Sequence, residues 1–228
     1  MVLKELISLW HDESPLGELF KRFDEMLITA KEMFFLSTSH LVGDKFDAEL
    51  GNRIIKMDGK LNTLEQVIRR DIVTHISVSG TTDIIPCLQL ISLVKDVERV
   101  GDYCKNIHEI ASKYESLQSD PLISDLRDMR KKIMIWFDQT KRAFDRAEKD
   151  LATSTRSEAY LLEKECDRLV WSLAEESGGR NAVAIAMIIR FFKRVTAHLG
   201  NVCTSVTMPL DKLDYFKKPD GTIVEDDG

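Results

Sequence analysis

Residues 20–41 read FKRFDEMLITAKEMFFLSTSHL, and Phe20, Phe23, Leu27, Ala30, Phe34, Ser37 and Leu41 recur in alternating steps of three and four. A helix turning about 100° per residue brings those positions to one side, so the stretch predicts a long helix with a seam facing other helices. Ser14 before Pro15 supplies its cap and first-turn proline. Downstream, the same spacing predicts a second helix from about Asp44 to His75 with Ile54, Leu61, Leu64, Ile68 and Ile72 on one side. Gly80 and Thr81-Thr82-Asp83 break it and cap a third helix, whose seam is Leu90, Val94, Val97, Gly101, Cys104, His108 and Ala111 and whose first turn accommodates Pro86.

A polar stretch over 115–120 and the Asp120-Pro121 pair mark an internal boundary. A fourth helix follows, with Leu122, Leu126, Met129, Ile133, Trp136, Thr140, Phe144 and Ala147 inward. Thr155 and Glu158 read as a capping box opening a fifth helix that carries Leu162, Cys166, Leu169 and Leu173 and ends at Gly178-Gly179. A sixth runs from about Asn181 to Thr207 and stops near Pro209. Aligning Ile91–Ile107 with Ala186–Val202 matches Arg99 to Arg194, Val100 to Val195, Asn106 to Asn201 and Lys95 to Arg190, so the trio is written twice. The expected fold is all-α, two tandem three-helix bundles over 14–117 and 118–216, preceded by an amphipathic segment at 1–13 and followed by a polar tail at 217–228.

Composition agrees. The chain has 228 residues and 26.1 kDa, 43% hydrophobic and 31% charged, with only 11 Gly and 5 Pro. That scarcity of turn formers favours long helices, and no stretch reaches the ~20 apolar residues a bilayer crossing needs. A net charge of −6 disfavours nucleic-acid phosphates as partners. Cys87, Cys104, Cys166 and Cys203 form no C-x-x-C pair, as expected of reduced thiols in a cytoplasmic protein. Leu3, Leu6, Ile7 and Trp10 suit folding back on the chain's own bundle or a twin subunit, with docking on a membrane or a transporter subunit as the alternative.

Chemistry is confined to carboxylate stripes. Glu98, Asp102 and Asn106 follow at i, i+4 and i+8, facing Asp58 and Asn62 on the second helix, so that one cation can be shared between helices. Hard oxygen donors favour magnesium, calcium, manganese or iron. The plain alternative is a solvated face in which Lys95, Arg99 and Lys105 offset the acids. In the second half Glu163 and Asp167 repeat the spacing, but Lys193 and Ala197 stand where Glu98 and Asp102 would be, so a metal is disfavoured there. None of the five histidines lies three residues after a glutamate, and no nucleophile elbow, P-loop, GxGxxG or H-E-x-x-H occurs, which argues against an enzyme.

The run Lys95-Asp-Val-Glu-Arg-Val-Gly-Asp-Tyr-Cys-Lys-Asn106 resembles the D-x-E-R-I-G-D-x-x-x-N signature of the PhoU family, over a span from about Leu16 to Phe216. The resemblance implies a tandem three-helix fold, usually a homodimer, and a non-enzymatic regulator that acts on a phosphate transporter and a sensor kinase and reaches the membrane only through such a partner. It also implies iron or zinc on E/D-x-x-x-D stripes. Here Glu98-x-x-x-Asp102 and Glu163-x-x-x-Asp167 match, Asp58-x-x-x-Asn62 matches in part, and Lys193-x-x-x-Ala197 departs. The metal-ligand candidates are therefore Asp58, Asn62, Glu98, Asp102, Asn106, Glu163 and Asp167. The expected mechanism is docking of helix faces on a transporter or kinase while the stripes hold cations that stiffen the docked form. The rivals are a metal-dependent helical-bundle enzyme or metal-storage protein, and a metal-free dimerising module.

Overall fold

Ser14 is a working cap: its hydroxyl accepts the Gly17 amide at 3.1 Å, and Pro15 occupies the first helical position. In this computed structural model residues 14–43, 49–175, 181–213, 215–217 and 222–225 are described. Helix α1 spans Pro15–Ser37, α2 Leu50–Ser79, α3 Ile84–Lys113, α4 Ile123–Arg146, α5 Lys149–Glu175 and α6 Ala182–Thr207. The three-four seam of α1 is the buried one: Phe23, Ala30 and Phe34 have no exposed surface. Helices α1, α2 and α3 pack on one another, as do α4, α5 and α6, and α3 meets α6 between the two trios. The hydrophobic core runs through both trios without a break. Phe34 makes the join, with its ring 5.7 Å from Phe137 of α4 and 5.4 Å from Phe192 of α6.

Several helix ends differ from the sequence reading. Gly80 ends α2 at φ 69°, and Asp83 stands at the N-cap of α3, but its carboxylate makes no cap bond and pairs with His75 at 2.8 Å instead. The capping box at Thr155 and Glu158 is not one. Helix α5 starts six residues earlier, and Thr155 instead donates to Gln139 while Glu158 accepts from the Trp136 indole. The break between α4 and α5 falls at Ala147, a left-handed residue (φ 47°, ψ 43°) whose amide returns to the last carbonyls of α4. Asp120 does hold the start of α4, accepting the Leu122 amide at 3.1 Å.

Beyond α6 the chain is not simply a polar tail. Strands β1 (Tyr215–Lys217) and β2 (Ile223–Glu225) pair antiparallel, with Phe216 opposite Val224. Phe216 is buried, its ring 5.0 Å from that of Tyr160 on α5. The amphipathic segment 1–13, the Asp44 start of the second helix and the Gly178-Gly179 stop lie outside the described residues.

Candidate functional site

The stripes of α2 and α3 face each other because Gly101 lets the helices approach. A Cβ there would lie 2.6 Å from Leu61 Cδ1 and 3.8 Å from Asp58 Oδ1. The positive group that joins the two stripes belongs to the chain itself, one of the lysines of the solvated-face alternative. Lys105 Nζ sits 2.9 Å from Asp58 Oδ1 and 2.9 Å from Asp102 Oδ1. Burial pulls the Lys105 ammonium toward deprotonation, and its hydrogen bonds to Asp102 and Asp58 outweigh that, holding it above the usual lysine range. Asn62 turns inward on its own helix and donates to Asp58 Oδ2 at 3.3 Å.

Nearer the start of α3, Lys95 repeats the bridge. Its Nζ donates to Glu98 Oε2 at 2.6 Å and lies 3.9 Å from Glu65 Oε1 on α2, which Arg69 also meets at 2.9 Å. Glu98 and Glu65 are buried rather than displayed on the surface. Asn106 continues the stripe, half-buried, while Arg99 is exposed. Glu65 escaped the sequence reading although it stands three residues after Asn62 on the same helical face, and that spacing is the signal that would have found it.

In the second trio the acids are closed differently. Asp167 takes both of its oxygens to Lys193 Nζ, at 2.9 and 3.0 Å, with Arg190 at 3.5 Å. Glu163 is fully interior and accepts from Arg156 at 2.9 Å, both side chains being only 4% exposed. Arg156 lies under the C-terminal hairpin, its guanidinium 3.8 Å from the centre of the Phe216 ring. It fits there because Gly200 opposite has no side chain: a Cβ would stand 2.8 Å from Arg156 Cδ.

Between the trios, Asp96 of α3 accepts from Asn201 Nδ2 at 3.0 Å and meets His198 Nδ1 at 2.8 Å. Tyr103 stacks near Phe191 and His198, with centroids 5.8 and 5.7 Å away. These pairings make α3 and α6 antiparallel.

A metal centre requires several free donor atoms converging at about 2.0–2.6 Å on one point. Asp58 and Asp102 converge on nitrogen instead, and Asp167 and Glu163 are each taken by another nitrogen. Among the described residues no group of three or more His, Cys, Asp or Glu side chains is gathered to hold an ion. The residues as arranged do not fit a multinuclear metal cluster.

Two helix trios joined through their third helices, each with charged groups along its second and third members, place the molecule among tandem three-helix-bundle proteins. The PhoU domain matches residues 23–111, which fall in the first trio. The chain is 27% identical to a phosphate-specific transport system accessory protein PhoU of Serratia marcescens over 164 residues, 69% of this chain and 68% of that protein. It is 21% identical to the PhoU homolog of Synechocystis over 183 residues, 78% of this chain and 81% of that one. The crystal structure of PhoU from Pseudomonas aeruginosa superposes with a TM-score of 0.74 at 18% identity, covering 84% of this chain and 95% of that one. Over residues 23–111 the chain is similar to the PhoU domain, and its fold is that of the PhoU crystal structures.

Proposed function

We propose that the protein is a non-enzymatic, cytoplasmic regulator of a phosphate transport system, acting by docking on the transporter or its associated sensor kinase. The observation that supports this most is the likeness to phosphate-specific transport system accessory proteins across both trios, over 68% and 81% of the two relatives' lengths. No described helix is long and apolar enough to cross a membrane; in this reading, contact with the bilayer runs through the partner. The end of the second trio offers a docking face. An apolar groove of about 450 Å³ between α5 and α6 is lined by Val170, Leu173, Val183 and Met187, with Arg190 at its edge. Val183 is 75% exposed and Trp171, on the same end of α5, 68%. A solvent-facing apolar groove between two helices suits an amphipathic helix from a partner.

The test is phosphate uptake by cells lacking the gene, complemented with the wild-type chain or with Val183→Asp/Met187→Asp. Under phosphate excess, uptake is expected to stay high without the gene and to be restrained again by the wild type. The double variant, if folded with an unchanged melting midpoint, is expected to restore neither this restraint nor co-purification with the phosphate transporter. Uptake that ignores the deletion would overturn the regulatory reading; full rescue by the double variant would overturn the docking face.

A further inference from the structure

The two trios solve one charge problem with different residues. With α2 aligned on α5 through the D-x-x-x-N and E-x-x-x-D pairs, Asp58 corresponds to Glu163 and Asn62 to Asp167; with α3 aligned on α6, Glu98 corresponds to Lys193, Asp102 to Ala197 and Lys105 to Gly200. The second trio has therefore lost the lysine that bridges the first, and the glycine in its place leaves the room that Arg156 fills from α5. The outcome is the same: Asp58, Glu163 and Asp167 each have a protein nitrogen at 2.9 Å. Placing a cation twice, from unrelated positions, marks it as a requirement of the acid faces rather than an accident of surface pairing.

We infer that Lys105, Arg156 and Lys193 are resident counter-ions standing where a metal would otherwise bridge the acid faces, so that this chain folds without metal and Lys105 covers a latent divalent-cation site made by Asp58 and Asp102. The first trio is where a metal can be uncovered. Its four carboxylates, Asp58, Glu65, Glu98 and Asp102, meet three cations, Lys95, Lys105 and Arg69, whereas Glu163 and Asp167 of the second trio meet Arg156, Lys193 and Arg190. Removing the Lys105 ammonium leaves the Asp58 and Asp102 carboxylates facing across α2 and α3 without the nitrogen that joins them, Asn62 still donating to Asp58 Oδ2, and two such oxygen donors suit a hard cation.

The experiment uses the full chain expressed in manganese- and iron-supplemented medium and purified without chelator. Metal content is measured by elemental analysis, and thermal unfolding is followed in EDTA and in 1 mM MnCl2. The wild type and Lys105→Arg are expected to carry substoichiometric metal and to melt at the same temperature in both buffers. Lys105→Met is expected to melt lower in EDTA and to regain about 3 °C or more with manganese. That response should vanish when Asp102→Asn is added. A wild-type chain holding one or more metal ions that EDTA strips with a drop in midpoint would overturn the inference, and so would a folded Lys105→Met that ignores manganese. Should Lys105→Met not fold, metal content and the EDTA response of the wild type and Lys105→Arg still decide.

Discussion

Glu163→Gln isolates the cost of an interior ion pair. Arg156 and Glu163 are each 4% exposed, with NH1 and Oε1 2.9 Å apart. At an effective dielectric of about 20 and a charge separation of about 4 Å, the attraction is about 4 kcal/mol. Glutamine keeps an oxygen at the acceptor position but removes the charge, leaving the guanidinium with the Phe216 ring at 3.8 Å. A cation over an aromatic face returns about 0.5–2 kcal/mol, and that contact already exists in the wild type, so it offsets none of the loss. The expected destabilisation is about 3–4 kcal/mol, read as a fall in the urea midpoint at unchanged slope, or about 6–16 °C in melting temperature. Arg156→Met is expected to cost about 3–5 kcal/mol, because it leaves the buried Glu163 carboxylate without its guanidinium. Replacing both, Arg156→Met/Glu163→Leu, is expected to restore stability to within about 1 kcal/mol of the wild type, since no charge is then buried. Urea unfolding followed by far-ultraviolet circular dichroism and by Trp136, which is 3% exposed, measures all three. A Glu163→Gln cost below about 1 kcal/mol would refute the reasoning, for it would mean that water reaches the pair.

Gly101→Ala is expected to destabilise by about 1–2 kcal/mol in urea unfolding, because the clash with Leu61 Cδ1 at 2.6 Å exceeds the helix-propensity gain of alanine. Ala147→Gly is expected to raise stability by about 0.5–1 kcal/mol, relief of a left-handed alanine outweighing the added freedom of the unfolded chain, whereas Ala147→Val lowers it. Burial pushes the thiols of Cys87 and Cys203 up to about 11 and those of Cys104 and Cys166 up to about 12 from an ordinary 9.0. The sign follows: above pH 9 the unfolded chain loses thiol protons that the folded chain keeps, so stability is full below that pH. It is lost by about 1.4 kcal/mol per pH unit for each thiol until its folded value is reached. Urea midpoints between pH 8 and 10.5, compared with those of a Cys→Ala or Cys→Ser chain, check this.

The helices were legible because burial writes its period into the sequence: Phe23, Ile68, Val94, Ile133 and Cys166 all lie on the predicted seams and all are buried. The turns were less so. Ala147 adopts a glycine-like conformation without being glycine, so neither composition nor pattern announces that α4 ends there. Thr155 and Glu158 have capping-box spacing, but their side chains are claimed by Gln139 and Trp136 on α4, partners only the fold supplies. The facing stripes of Asp58 and Asp102 could be read from spacing, and Lys105 stood among the residues able to offset the acids. Arg156 could not be found that way. It acts on Glu163 two turns along its own helix by passing over Gly200 of another, a route that exists only once α5 and α6 are packed.

The joint between the trios shows the same divergence under a fixed geometry. Under the alignment of α3 with α6, Tyr103 corresponds to His198 and Asp96 to Phe191. The Tyr103–Phe191 ring pair and the His198–Asp96 pair therefore occupy related positions on either side of the crossing. One is held by stacking and the other by a hydrogen-bonded acid, to which Asn201 adds a second donor. Stacking tolerates sliding, whereas a 2.8 Å contact from an aspartate does not, so the polar side fixes the register of α3 on α6 and the aromatic side fills the space left. The charged faces follow that logic: a positive group must sit beside the second helix of each trio, but whether it comes from α3, α5 or α6 is open to drift. For that reason the four-residue acidic spacing alone does not identify a metal centre in this fold. The residue at the Lys105 position, ammonium in one half and hydrogen in the other, decides what the acids can hold.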